Sequence, residues 1–130
     1  MKRLAIVTMF GAAVAAISLW NLPEAAAEDT KCGEKGQPDC PLQGWMDKNL
    51  QGPLDAKDLA KVAAGLEKAA GMAPDPKWND GPNGWAKLAK DGAAAAKAGN
   101  ADGAKASCKG CHKAWRNQYK KEFRTKPVSG

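Results

Sequence analysis

From Pro41 onward, prolines and glycines fall at intervals that leave room for helices and for little else. Four stretches lie between them with apolar residues three and four apart, and the Ala/Lys-rich sequence lacks the alternating pattern of half-buried strands. Pro41 can occupy a first helical turn, and Leu42, Trp45, Met46 and Leu50 follow at helical spacing until Gly52-Pro53 stops the run. Asp55 is placed to cap a second helix, with Asp58 three residues on. Its apolar face is Leu59, Val62, Ala63 and Leu66, ending before Gly71. Residues 72 to 82 hold Pro74, Pro76, Asp80 and Gly81 and read as a connection rather than an element, with Trp78 packing back. A third helix is expected from about Gly84 to Ala98, burying Trp85, Leu88 and alanines, with Gly99 as its stop. Asn100 and Asp102 open a fourth, whose face carries Cys108, Cys111, His112, Trp115, Tyr119 and Phe123 before Pro127 closes it. Four helices joined by short turns predict an all-α fold, an antiparallel four-helix bundle.

The fourth helix holds most of the chemistry. Cys108-Lys109-Gly110-Cys111-His112 is a C-x-x-C-H sequence, the signature of covalent c-type haem attachment. Residues three and four apart share a helix face, so both sulfurs and the imidazole emerge together. The two thiols can then add to the two haem vinyl groups as thioethers. His112, the only histidine in the chain, binds the iron from the proximal side. Two other readings compete, a dithiol redox pair and half of a zinc site. The first needs an alternating strand and helix pattern that is missing here, and the second would have to recruit Cys32 and Cys40 across a long gap.

The N-terminus has the form of a secretory signal. Lys2 and Arg3 precede an apolar run from Leu4 to Trp20, and Ala25-Ala26-Ala27 offers an A-x-A cleavage site. An uncleaved membrane anchor is the competing reading, since the run is close to the length of a span. Cleavage after Ala27 removes Lys2, Arg3 and Glu24 and lowers the formal charge from +6 to +5, so the mature chain is mildly basic. Once Cys108 and Cys111 are given to thioethers, Cys32 and Cys40 are the remaining pair, and an exported chain sits where disulfides persist. A Cys32–Cys40 bridge would close the loop of residues 33–39 in a structural role, with a redox-active pair as the competing reading, though nothing nearby supplies the C-x-x-C spacing. The expected organisation is a signal over residues 1–27, a disulfide-closed loop over 28–40 and a helical domain over 41–130. That domain has few aromatics and much alanine, so a covalent haem would form a major part of its interior.

A four-helix sequence with C-x-x-C-H on its last helix resembles the class II c-type cytochromes, cytochrome c′ and its six-coordinate, Met-ligated relatives. A class I cytochrome carries this motif near its N-terminus with a ligand methionine downstream, whereas no methionine follows His112 here. The continuation His112-Lys113-Ala114-Trp115-Arg116 also resembles the family motif, in which an aromatic and a basic residue follow the histidine. Trp115 stands where tyrosine is common. The resemblance implies one covalent haem c, attached outside the bacterial cytoplasm, and therefore a periplasmic protein. It further implies that the first helix covers the far side of the haem, where Met46 would be the second axial ligand in an electron carrier. If neither Met46 nor Met72 binds iron, the resemblance implies instead a five-coordinate haem that takes up NO or CO. The first helix looks shortened, its N-terminal part replaced by the disulfide loop, and the family's homodimer is packed through helices.

Arg116, one turn beyond His112, is placed to pair with a haem propionate, and Trp115 and Tyr119 to pack on the haem or a neighbouring helix. Lys105, Lys109, Lys113, Lys120 and Lys121 give this helix a basic exterior, suited to an acidic redox partner. A solvated face is the plainer explanation. Dispersed lysines in an exported chain do not suggest nucleic-acid binding. No second histidine, Ser/His/Asp set or phosphate-cradling loop argues for an enzyme. Gln43, Asp47 and Lys48 on the first helix are expected to face solvent.

Overall fold

A computed structural model describes residues 31–128, and every regular element among them is helical. The expected signal and its cleavage site lie outside the described residues. Among those described, no helix is long and apolar enough to cross a membrane.

The first helix does not stop where expected. α1 (Pro41–Met46) begins on a proline whose missing N–H is harmless in a first turn. It runs into a π-helical turn (Asp47–Gln51) and then α2 (Gly52–Asp55), with right-handed backbone through each junction. Pro53 has no N–H for the Asn49 carbonyl, and its ring crowds that carbonyl. The wider turn, in which the Gly52 N–H donates to the Asp47 carbonyl, accommodates the ring without ending the helix. The Asn49 oxygen then lies against the next helix at Gly65, where a Cβ would come within 2.5 Å of it.

That continuation moves the second cap. Asp55 is the last residue of α2, accepting from Gln51 Nε2 at 2.8 Å. Lys57 takes the left-handed backbone (φ 57°) that reverses the chain. Asp58, rather than Asp55, caps α3 (Leu59–Ala69), its carboxylate accepting from the Lys61 N–H at 3.1 Å. The connection that follows contains a short 3₁₀ turn (Pro76–Asn79), started by Asp75 accepting from the Lys77 N–H. Its Trp78 is buried, as expected of a residue packing back. α4 (Trp85–Lys97) and α5 (Ala101–Glu122) meet at Gly99 and at Asn100, whose side chain accepts from the Gly103 N–H at 2.8 Å.

Packing is serial: α5 lies chiefly on α4, α4 on α3, and the π turn and α2 on α3. Small inner-face residues allow the close approach. A Cβ on Gly92 of α4 would meet Ser107 Oγ at 2.8 Å and Leu66 Cδ1 at 3.0 Å. One buried cluster joins Leu50, Val62, Ala63, Leu66, Ala93, Ala96 and Ala104. A second, richer in aromatics, joins Leu42, Met72, Trp78, Trp85 and Phe123. Leu88, expected in the core, is only half-buried. Cys32 and Cys40 are joined at 2.11 Å and buried. The Arg124 guanidinium donates to the Cys32 carbonyl and pairs with Glu34 at 3.6 Å, tying the loop to the chain just beyond α5.

Candidate functional site

Between the first helix and α5 the two apolar clusters do not close on each other, and a cavity of about 310 Å³ remains. α5 supplies one wall with Cys108, Cys111, His112, Trp115 and Tyr119. These positions recur at three and four residues on one continuous helix packed on α4, which is why they share a face. The opposite wall is Leu42, Met46 and Leu50 of the first helix. Leu66 and Ala69 of α3 and Trp85 and Ala89 of α4 make the floor. Trp85 is fixed there by its Nε1, which donates to the Ala69 carbonyl at 2.6 Å.

Cys108 and Cys111 are free thiols, both half-buried. Burial pushes the Cys108 thiol up from its usual range. Burial, and then the neighbouring Cys108, pushes Cys111 up to about 11. Such thiols are protonated at neutral pH, the opposite of an activated redox dithiol. Burial against the cavity, and then the Arg116 guanidinium, holds His112 below its ordinary 6.5, so its imidazole is neutral and able to bind metal. The residue as a whole remains exposed at the cavity mouth.

Trp115 is half-buried. Its indole N–H donates to the Asn83 carbonyl at 3.0 Å, and its ring stacks on Trp78 with centroids 4.9 Å apart. Tyr119 finds the hydroxyl partner it needs in the Arg124 carbonyl at 3.1 Å. Arg116 and Lys120 stand exposed at the rim, facing Gln43 and Asp47 across the mouth. Gln43 and Asp47 are thus exposed, as expected, yet border the cavity, whereas Lys48 does not. Met72 is buried away from it, beside a smaller recess with Leu42 and Phe123. Of the two methionines among the described residues, Met46 alone lines the cavity that His112 lines.

Several wall residues escaped sequence reasoning: Leu66, Ala69, Ala89, Ser107 and Gly33. Their signal was weak. Alanine on an inner helix face can mean close packing, as at Ala93 and Ala96, or space left for something else, as at Ala69 and Ala89.

The residues fit a haem. The cavity falls in the range of small-molecule sites, has largely apolar walls and places two thiols and a neutral imidazole opposite a thioether. Its rim offers Arg116 and Lys120 for carboxylates. They fit zinc poorly. Cys32 and Cys40 are bonded to each other, and no group of three or more His, Cys, Asp or Glu side chains converges among the described residues. No protein-family model matches the chain, and no curated protein or solved structure does so either.

Proposed function

We propose that the chain is an exported monohaem c-type cytochrome of the class II kind: an antiparallel four-helix bundle, periplasmic after loss of residues 1–27, that carries electrons and is not an enzyme. The observation that carries this reading is one cavity bordered by Cys108, Cys111 and His112 on one wall and Met46 on the other.

Cys108 and Cys111 would hold haem c through two thioethers, and His112 and Met46 would bind its iron. When bound, the haem supplies an iron that gains and loses one electron, at a potential raised by Met/His ligation. The chain's own residues do the rest. α5 carries both cysteines and His112 on one continuous helix, which would limit their displacement between redox states. Leu42, Leu50 and Leu66 give the interior apolar walls, which would limit the reorganisation that a change of charge demands. Arg116, at the rim, would pair with a propionate, and Trp115, anchored by Asn83 and Trp78, would support the haem face. Met46 would supply the thioether that keeps small molecules from the iron. The Cys32–Cys40 pair suits an oxidising compartment.

An absorption spectrum of protein produced with a haem-maturation system, oxidised and reduced, with and without CO, tests the reading alongside Met46→Ala. The expected wild type is low-spin and indifferent to CO, and the variant high-spin and CO-binding. A high-spin wild type that binds CO, unaltered in type by Met46→Ala, would replace the electron carrier with a five-coordinate NO- or CO-binding protein.

A further inference from the structure

Beside the cavity mouth, α5 carries five cations in one row. Lys105, Lys109, Lys113, Arg116 and Lys120 recur every three or four residues, which confines them to an arc of about 80° and a length of about 22 Å. All five are exposed, and so is His112 next to them. No acidic residue interrupts α5 between Asp102 and Glu122. Neighbouring helices pair several of their lysines: Lys61 with Asp58, Lys87 with Asp91, and Lys97 with Glu67 of α3. Among the described residues, none of the five on α5 has an ion-pair partner. Like charges four apart on a helix destabilise it, and among the described residues no acidic side chain pairs with the row to offset that cost.

We propose that this row is the docking surface for an acidic redox protein, whose carboxylates meet the lysines and bring its redox centre to the cavity mouth. The proposal rests on the haem reading of the site. Charge complementarity fixes the sign of the partner, and the row's adjacency to the exposed edge of the site gives contact there a purpose. A membrane is disfavoured because the exposed residues beside the row on α5 are Ala106, His112, Asn117 and Lys121, with no aromatic or leucine to enter the acyl boundary. A single-stranded nucleic acid would want exposed aromatics to stack on, whereas Trp115 and Tyr119 line the cavity and make their hydrogen bonds within the chain.

The test is the second-order rate at which reduced plant-type ferredoxin, an acidic one-electron donor, reduces the ferric holo-protein at about 20 and about 150 mM salt. A triple variant, Lys105→Glu, Lys109→Glu and Lys113→Glu, reverses three of the row's five charges without touching the cavity lining. A control, Lys68→Glu, Lys77→Glu and Lys90→Glu, makes the same change in net charge on other elements. The expected wild-type rate falls steeply with salt. The α5 triple should lose about tenfold or more at low salt with its haem spectrum unchanged, while the control stays within about threefold. Equal losses in both triples, or a rate indifferent to both, would overturn the docking surface. So would co-sedimentation with phosphatidylcholine/phosphatidylglycerol vesicles at the higher salt that the α5 triple abolishes. A wild type without any haem band removes the haem reading and this proposal together; an intact band with insensitive rates removes this proposal alone.

Discussion

At the scale of single residues, two glycines inside helices behave oppositely, and only their neighbours say why. Replacing an interior helical glycine by alanine gains about 1 kcal/mol from helix propensity alone. At Gly65 the new methyl would lie 2.5 Å from the Asn49 carbonyl, which is backbone and held by the π turn around Pro53. Gly65→Ala is therefore predicted to lower stability by about 1–3 kcal/mol, seen as a lower urea midpoint at unchanged slope. Gly110 meets nothing nearer than Leu88 Cδ2 at 3.5 Å, so Gly110→Ala should raise the midpoint. The sequence shows both simply as glycines in helices, because the obstacle at Gly65 is a long-range contact that Gly110 lacks. C-x-x-C-H is legible for the converse reason: its meaning lies in spacings of three and four, which a helix turns directly into a shared face. Met46 is intermediate. Its helical stripe was visible, but only the cavity separates it from Met72, which is more deeply buried and faces elsewhere.

At the scale of elements, the sequence placed each helix but misjudged one junction. Gly52-Pro53 carries the local chemistry of a stop, and the chain overrides it with a π turn that packs on α3. The cap accordingly shifts from Asp55 to Asp58, two residues that local pattern offers equally. The hydrogen bonds and charge of Lys61 hold the Asp58 carboxyl below its ordinary 3.8. A carboxyl depressed in the folded state contributes stability that is complete above its unfolded value, near pH 4, and is lost as pH falls through the folded value. Protection of the first α3 amides against hydrogen exchange should fall across that acid range. In Asp58→Asn, which keeps the acceptor but does not titrate there, the fall should be shallower. The N-terminal loop gives a second test. Replacing Cys32 and Cys40 by serine should cost about 2–3 kcal/mol by chain entropy, measured by urea unfolding of the holo-protein.

At the scale of the whole molecule, the all-helical fold was legible from its punctuation, and the shortage of bulky core residues was legible from its alanines. The sequence could not say where that shortage would gather, because helix order and packing decide which alanines meet a neighbour and which face the cavity. The cluster of Leu42 and Phe123 joins the first helix to the end of α5, and the cavity lies between those two helices. A chain kept haem-free by Cys108→Ser and Cys111→Ser should consequently be loosely packed, with reduced near-ultraviolet circular dichroism and increased dye binding relative to the holo-protein. The central claim is covalent haem on Cys108 and Cys111. The most direct measurement is the intact mass, under denaturing and reducing conditions, of protein exported by cells that carry a haem-maturation system, with a count of free thiols. The expected product is a chain starting at Glu28 that is heavier by one haem, with Cys32 and Cys40 its only titratable thiols. An unmodified chain with four titratable thiols would contradict it.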